Sequence, residues 1–208
     1  MFGMSLLSIV AGIPGLLIAM VLHEYAHAWM AVKMGDFTPR MMGRLTLNPV
    51  AHIDLIGLIM LLLVRFGWAK PVIINPNNFK NIRKGEILTA FAGPLMNLIV
   101  AFVFLVLYAF MVKYGVNLTQ GVNLVFTLII IYNINFAIFN LLPLPPLDGG
   151  RILMMLLPSR WAYKMMQLER YSFLILIVLM MTPFLGTILV PLQKLVWFVF
   201  SAVIGLIV

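Results

Sequence analysis

Cysteine is absent from the 208 residues. No disulfide framework and no thiolate metal site can form, so any bound metal must take His, Asp or Glu. Charge is nearly as scarce. Fourteen Lys plus Arg and six Asp plus Glu make up 10% of the chain, where a soluble globular domain carries about 25%. Hydrophobic residues supply 63%, and mean hydropathy is +1.10. A fold of this size cannot hide that much apolar surface from water, because surface falls only slowly relative to volume. A soluble enzyme, a disordered chain and a secreted disulfide scaffold are excluded. An integral membrane protein in a lipid bilayer is indicated. The net charge of +8 does not argue for nucleic acid as a partner. The basic residues punctuate apolar runs and do not gather on one basic face.

Residues 1–22 hold no ionisable side chain, and 87–112, 114–147, 171–193 and 195–208 hold no charge. A spanning helix needs about 20 apolar residues. Spans are therefore expected near 5–33, 87–112, 119–142, 171–190 and 192–208, the last beginning after Pro191. The first run is no cleavable signal, since it lacks a basic start and continues into His23 and Glu24. Pro14 can bend its beginning, and Gly35-Asp36 is a stop signal. Residues 53–64 form a shorter apolar stretch of about 12 residues, better suited to a re-entrant or interfacial element. Residues 68–76 (WAKPVIINP) combine β-branched residues with two prolines and read as a short extended, β-like edge. Polar, basic 75–85 reads as a loop. No internal repeat or appended soluble domain is visible.

His23-Glu24-Tyr25-Ala26-His27 is an HExxH pattern. On a helix, residues i and i+4 share a face, so both imidazoles can share one metal. Glu24 can reach a metal-bound water and accept its proton, and zinc would bring that water's pKa toward 7. Fewer than about one chain in a thousand of this composition carries the pattern by chance. The bland alternative is a set of polar residues lining a helix interface. Ionisable groups within an apolar helix are costly, however, and mark functional sites.

Two histidines leave a zinc short of a third protein ligand. Asp36, Glu86 and Glu169 sit beside basic or loop residues and read as interface charges. Asp54, Asp148 and His52 remain. Asp148 lies in NLLPLPPLDGG (140–150), where prolines end a helix and Gly149 allows a carboxylate to be aimed inward. A helix-ending turn whose Asp meets water or Arg151 is the competing reading. His52 follows an Asn48-Pro49 turn signal that lets the chain fold back toward the first helix.

HEYAH within a membrane helix, AGPLMN at 92–97 and NLLPLPPLDGG at 140–150 together resemble the site-2 protease family of intramembrane zinc metalloproteases. The pattern N-x-x-P-x-x-x-x-D-G is complete from Asn140 to Gly149. GRLTLNPVAHIDLIG (43–57) and FGWAKPV (66–72) resemble its small prokaryotic members, and the likeness covers nearly the whole chain. The resemblance implies zinc as cofactor, with His23, His27 and Asp148 as its ligands; His52 stays, from its position in the chain, an alternative ligand or an outer partner. It implies Glu24 as catalytic base and Asn140 as a contact to the scissile backbone. It also implies a prokaryotic plasma-membrane location. No stretch is long enough for a PDZ or CBS domain, so residues 1–208 are expected to form a single intramembrane domain.

Charge counting tests the topology. If 53–64 spans, the 14 basic residues divide 9 against 5. If it is re-entrant, they divide 12 against 2, which obeys the positive-inside rule far better. The metal site argues likewise. Only in the re-entrant arrangement do the helices leading to His23 and Asp148 run the same way, with both ligands near the cytoplasmic end. The expected fold is all-α and polytopic, with five to six transmembrane helices and the N-terminus outside. The expected function is zinc-dependent cleavage of transmembrane segments of other proteins. The alternatives are a metal-ion transporter using His23, His27 and Asp148 in transit, and a non-proteolytic metal-binding membrane protein. Neither gives Glu24 a chemical task.

Overall fold

The computed structural model describes residues 6–54, 56–57 and 69–207. Its helices are α1 (Leu6–Met34), α2 (Thr38–Met41), α3 (Ile82–Lys113), α4 (Gln120–Asn140), α5 (Asp148–Leu156), α6 (Ser159–Glu169), α7 (Ser172–Met181) and α8 (Phe184–Ile207). Among the described residues the extended structure is limited to one antiparallel bridge, Ile53 to Ala69. The fold is that of an all-α polytopic membrane protein. Four described helices are long and apolar enough to cross a bilayer: Leu7–Met34, Ile82–Lys113, Gln120–Asn140 and Leu185–Ile207.

The helix ends follow from local chemistry. α1 stops at Gly35, whose φ of +114° suits glycine. The Gly35 amide donates to the Val32 carbonyl and the Asp36 amide to that of Ala31, which satisfies the last carbonyls of the helix. Asn81 caps α3 by accepting from the Lys84 amide at 2.9 Å. α4 ends at Asn140, where the run of prolines begins.

α1, α3 and α4 pack as a trio, and small residues let them approach. A Cβ on Gly15 would stand 3.0–3.1 Å from the backbone of Leu128 and Ile129, the close packing typical of membrane helices. The paired positions fix direction. His23 meets Asn97 and His27 meets Thr89, so α1 and α3 are antiparallel. Gly15 meets Ile129 and His23 meets Phe136, so α1 and α4 run the same way. α8 returns against α4: Leu185 clusters with Leu142 and Leu147 and Gln193 donates to Asn135, while Phe200 meets Phe102 of α3 edge to face.

One end of the bundle therefore gathers the C-termini of α1 and α4 and the N-termini of α3 and α8. The chain leaves α1 and enters α3 at that same end. The re-entrant segment expected at 53–64 falls mostly outside the described residues, as does Trp68. Ala69 pairs in the one bridge, residues 70–75 form neither helix nor strand, and Asn75 has extended backbone angles.

The last two expected spans are redrawn. The break falls at Thr182-Pro183 and not at Pro191, which lies inside α8. Thr182 is extended, with ψ of 156°, the conformation favoured before proline. Pro183 is then placed for a helix start, where its missing N–H costs little. This leaves α7 with ten residues. Its Leu176 and Leu179 pack on Leu142, Leu147 and Leu185 at the end where α4 stops. α7 thus caps the bundle, and the first and last described helices have their free ends on the same side. Lys33, Arg40, Arg44, Lys70, Lys80, Arg83, Lys84, Arg151, Arg160, Lys164 and Arg170 all lie on helices or loops of the gathered end, whereas Lys113 closes α3 at the other.

Candidate active site

The gathered end holds a compact cluster. His23 and His27 project from one face of α1, with Nε2 atoms 3.0 Å apart. Asp148 Oδ2 lies 3.1 Å from the first and 3.2 Å from the second. Both histidines are buried. Among the described residues these are the three side chains grouped closely enough to hold a metal ion.

The outer nitrogens decide what the cluster can bind. His23 Nδ1 donates to Asn97 Oδ1 at 2.7 Å, and His27 Nδ1 donates to the Thr89 carbonyl at 2.7 Å. The Asn97 amide is fixed in turn. Its Nδ2 donates to the Ala19 carbonyl and to Asn133 Oδ1, both at 2.9 Å. Asn133 donates onward to the Ile129 carbonyl at 2.8 Å. With a proton on each Nδ1, both Nε2 atoms turn lone pairs toward each other and toward a carboxylate. Asp148 Oδ2 is buried without a hydrogen-bond donor. Three acceptors facing one point with no proton between them repel unless a cation joins them. Ligand atoms of a tetrahedral zinc with bonds of about 2.0–2.1 Å lie about 3.3–3.4 Å apart, so the observed edges suit that ion.

Backbone packing brings the parts together. Asp148 opens α5, where the helix dipole favours an anion. Gly149 and Gly150 press against the preceding loop. A Cβ on Gly149 would collide with the carbonyls of Leu141 and Leu142, and one on Gly150 would lie 2.6 Å from Leu144. Gly93 gives the imidazoles their room, since a Cβ there would stand 2.7 Å from Cε1 of both His23 and His27.

Beside the cluster is a cavity of about 160 Å³, lined by His23, Glu24, His27, Pro71, Val72, Ile74, Asn140, Pro146, Asp148 and Arg151. Glu24 Oε2 accepts the Val72 amide at 3.1 Å, so the 69–75 segment touches the carboxylate. Asn140 lines the cavity while its Nδ2 donates to the Phe136 carbonyl at 3.0 Å. His52 is elsewhere. It is fully buried, its Nε2 bonds the Thr46 carbonyl at 2.8 Å, and its own carbonyl accepts the Lys70 amide at 2.8 Å. It pins the loop on which the 69–75 segment begins.

Asp36 and Glu86 are not the interface charges that their neighbours suggested. Both are buried. Asp36 accepts from the Thr38 amide and hydroxyl, the Asn75 amide and the Asn78 side chain, at 2.6–3.0 Å. Burial works against its charge, but the hydrogen bonds from Thr38, Asn78 and Asn75 outweigh it and hold the carboxyl below its usual range. This ties the far end of the 69–75 segment to the end of α1. Glu86 pairs with Arg151 across 3.6 Å. Sequence reasoning also gave no role to Asn97, Asn133 or Thr89. A signal was available: amide side chains inside uncharged membrane runs are expensive and therefore worth explaining.

A model of peptidase family M50 matches residues 111–183, a stretch holding Asn140 and Asp148. The chain is 42% identical over 180 residues to a Bacillus subtilis (strain 168) protein named "Putative zinc metalloprotease YwhC", covering 85% of this chain and 82% of that protein. It is 30% identical over 179 residues to "Putative zinc metalloprotease Rip2" of Mycolicibacterium smegmatis, covering 84% of this chain and 68% of the relative. To "Zinc metalloprotease MJ0392" of Methanocaldococcus jannaschii it is 27% identical over 148 residues, 71% of this chain and 34% of the relative. No solved structure matches the chain significantly.

Proposed function

The chain belongs to peptidase family M50, the site-2 protease family, and from that premise we propose a zinc endopeptidase that cuts transmembrane segments of other proteins within the bilayer. The observation carrying this reading is the triangle of His23 Nε2, His27 Nε2 and Asp148 Oδ2, with edges of 3.0–3.2 Å. These three would hold the zinc. When bound, zinc supplies the acidification that makes water a nucleophile at neutral pH.

The chain's own residues do the rest. Glu24 takes the proton of the attacking water and returns it to the leaving amine. Asn97 and the Thr89 carbonyl hold each imidazole in the tautomer that presents Nε2. A helical substrate protects its peptide bonds with its own hydrogen bonds and must unwind. Residues 69–75, free of helix, run beside the cavity with Pro71, Val72 and Ile74 in its wall, and would offer an edge for pairing with the unwound strand. Asn140 contacts the scissile backbone; one Nδ2 hydrogen is held by Phe136, which leaves its Oδ1 to accept a peptide N–H and its second hydrogen to donate to a carbonyl. His52 serves the loop and not the metal. The basic end of the bundle faces the cytoplasm by the positive-inside rule, so water enters from that side. One helical domain carries the whole activity.

Zinc content and cleavage of a model transmembrane substrate, measured on purified wild type and Glu24→Gln, test this reading. About one zinc per chain is expected in both, with turnover at least 10²–10⁴-fold lower in the variant. A Glu24→Gln protein that cleaves at the wild-type rate refutes the peptidase assignment. It would point instead to a metal-binding or transport role.

A further inference from the structure

Arg151 stands at the same cavity without a role in the mechanism above. It follows Asp148 by three positions on α5, so the two side chains rise from neighbouring points of one helix face. A sphere of about 160 Å³ is roughly 7 Å across, so a group held at the histidine wall lies within reach of the guanidinium. Among the described residues the fork makes one ion pair, Nη2 to Glu86 Oε2 at 3.6 Å. That is longer than the 2.7–2.9 Å of a tight charge-assisted bond and engages one nitrogen of a group with five donors. The Arg151 side chain keeps 34% of its surface exposed while Glu86 is buried at 7%. Arg151 thus lines the cavity while paired with Glu86 through one nitrogen, and its guanidinium has more donors than that pair engages.

Peptide hydrolysis creates an anion there. The water oxygen bonds to the carbonyl carbon and the C–N bond breaks. The amine leaves with the proton returned by Glu24, and the fragment on the N-terminal side of the cut ends in a carboxylate. The carbonyl oxygen carries negative charge during the attack, before that carboxylate exists. Asn140, the other polar donor on that wall, spends one of its two Nδ2 hydrogens on Phe136 and is neutral, so it cannot balance a full negative charge alone. A planar guanidinium matches a carboxylate with two parallel bonds.

Resting on the peptidase reading, we propose that Arg151 binds the charge developing on the scissile carbonyl and the product carboxylate that follows, making it a catalytic residue of this site. The competing explanation is structural: by tying α5 to α3, Arg151 merely sets Asp148 in place.

The two separate on the full chain, purified with zinc, as wild type, Arg151→Lys and Arg151→Gln. The N-terminal product fragment is identified from wild-type digests of a model transmembrane substrate. It is then synthesised with either a free carboxylate or a C-terminal amide, and binding of each is measured directly. We expect about one zinc per chain in all three proteins. The preference of wild type for acid over amide should shrink about tenfold in Arg151→Gln, and kcat should fall about 10²-fold, the scale of a lost oxyanion donor. Arg151→Lys should fall between. Loss of zinc from Arg151→Gln, or an unchanged preference for the acid, overturns the proposal. If wild type itself holds no zinc or cuts no substrate, the peptidase reading falls first and this proposal with it.

Discussion

Gly93→Ala sets local and tertiary physics against each other. In a helix interior Ala is favoured over Gly by about 0.8–1.0 kcal/mol, so propensity alone predicts a more stable α3. The site predicts damage. The added methyl carbon would stand 2.7 Å from Cε1 of both His23 and His27, and closer still to His27 Nε2. Carbon atoms rest about 3.5–4.0 Å apart, so the imidazoles must retreat by roughly 0.8 Å or more. Metal sites tolerate about 0.2 Å in ligand distance. Retreat also strains two buried bonds of 2.7 Å, to Asn97 and to the Thr89 carbonyl. Losing one such bond costs about 1–3 kcal/mol, a fall of about 5- to 150-fold in affinity. Zinc per chain after dialysis, read by elemental analysis beside helix content by circular dichroism, is the assay. The expected variant is fully helical with little zinc. An alanine variant holding zinc as tightly as wild type would show that the histidines are not packed against Gly93 as described.

Two further outcomes are expected. Asn97→Ala strands His23 Nδ1, the Ala19 carbonyl and Asn133 Oδ1, so zinc affinity should drop about 10- to 100-fold, whereas His52→Ala should keep its zinc; titrations that reverse this order would place His52 at the metal. Cysteines placed at Gly115 and Gly205 should be labelled from one side of the membrane and one at Asn78 from the other, because α8 runs antiparallel to α4 and ends far from the site. Labelling of Gly205 together with Asn78 would restore a fifth span.

Local chemistry was legible from sequence alone. Composition and apolar run length require a membrane protein, because hydrophobic burial depends on residue content before any fold is specified. The spacing of His23 and His27 within one helix places both imidazoles together by helical geometry. Gly35 and the prolines after Asn140 end their helices through backbone constraints that act within a few residues. Proline also misled. Pro183 and Pro191 are equal candidates for a break in sequence, and the break lies where Thr182 turns extended and α7 folds back onto Leu142 and Leu147.

What the tertiary structure decided concerns partners far apart in the chain. Asp148 lies 121 positions beyond His27 and His52 only 25, yet Asp148 reaches the histidines while His52 turns to Thr46. Sequence distance could not choose between them, because the choice depends on α1 and α4 running parallel. Asn97 and Thr89 orient the histidines across 74 and 62 positions, and Asp36 grips Asn75 and Asn78 from the end of α1. A buried polar group must find a partner, and a sequence announces that need without naming the partner. Only helix packing, set by small residues such as Gly15 and Gly93, decides which atoms arrive within hydrogen-bonding distance.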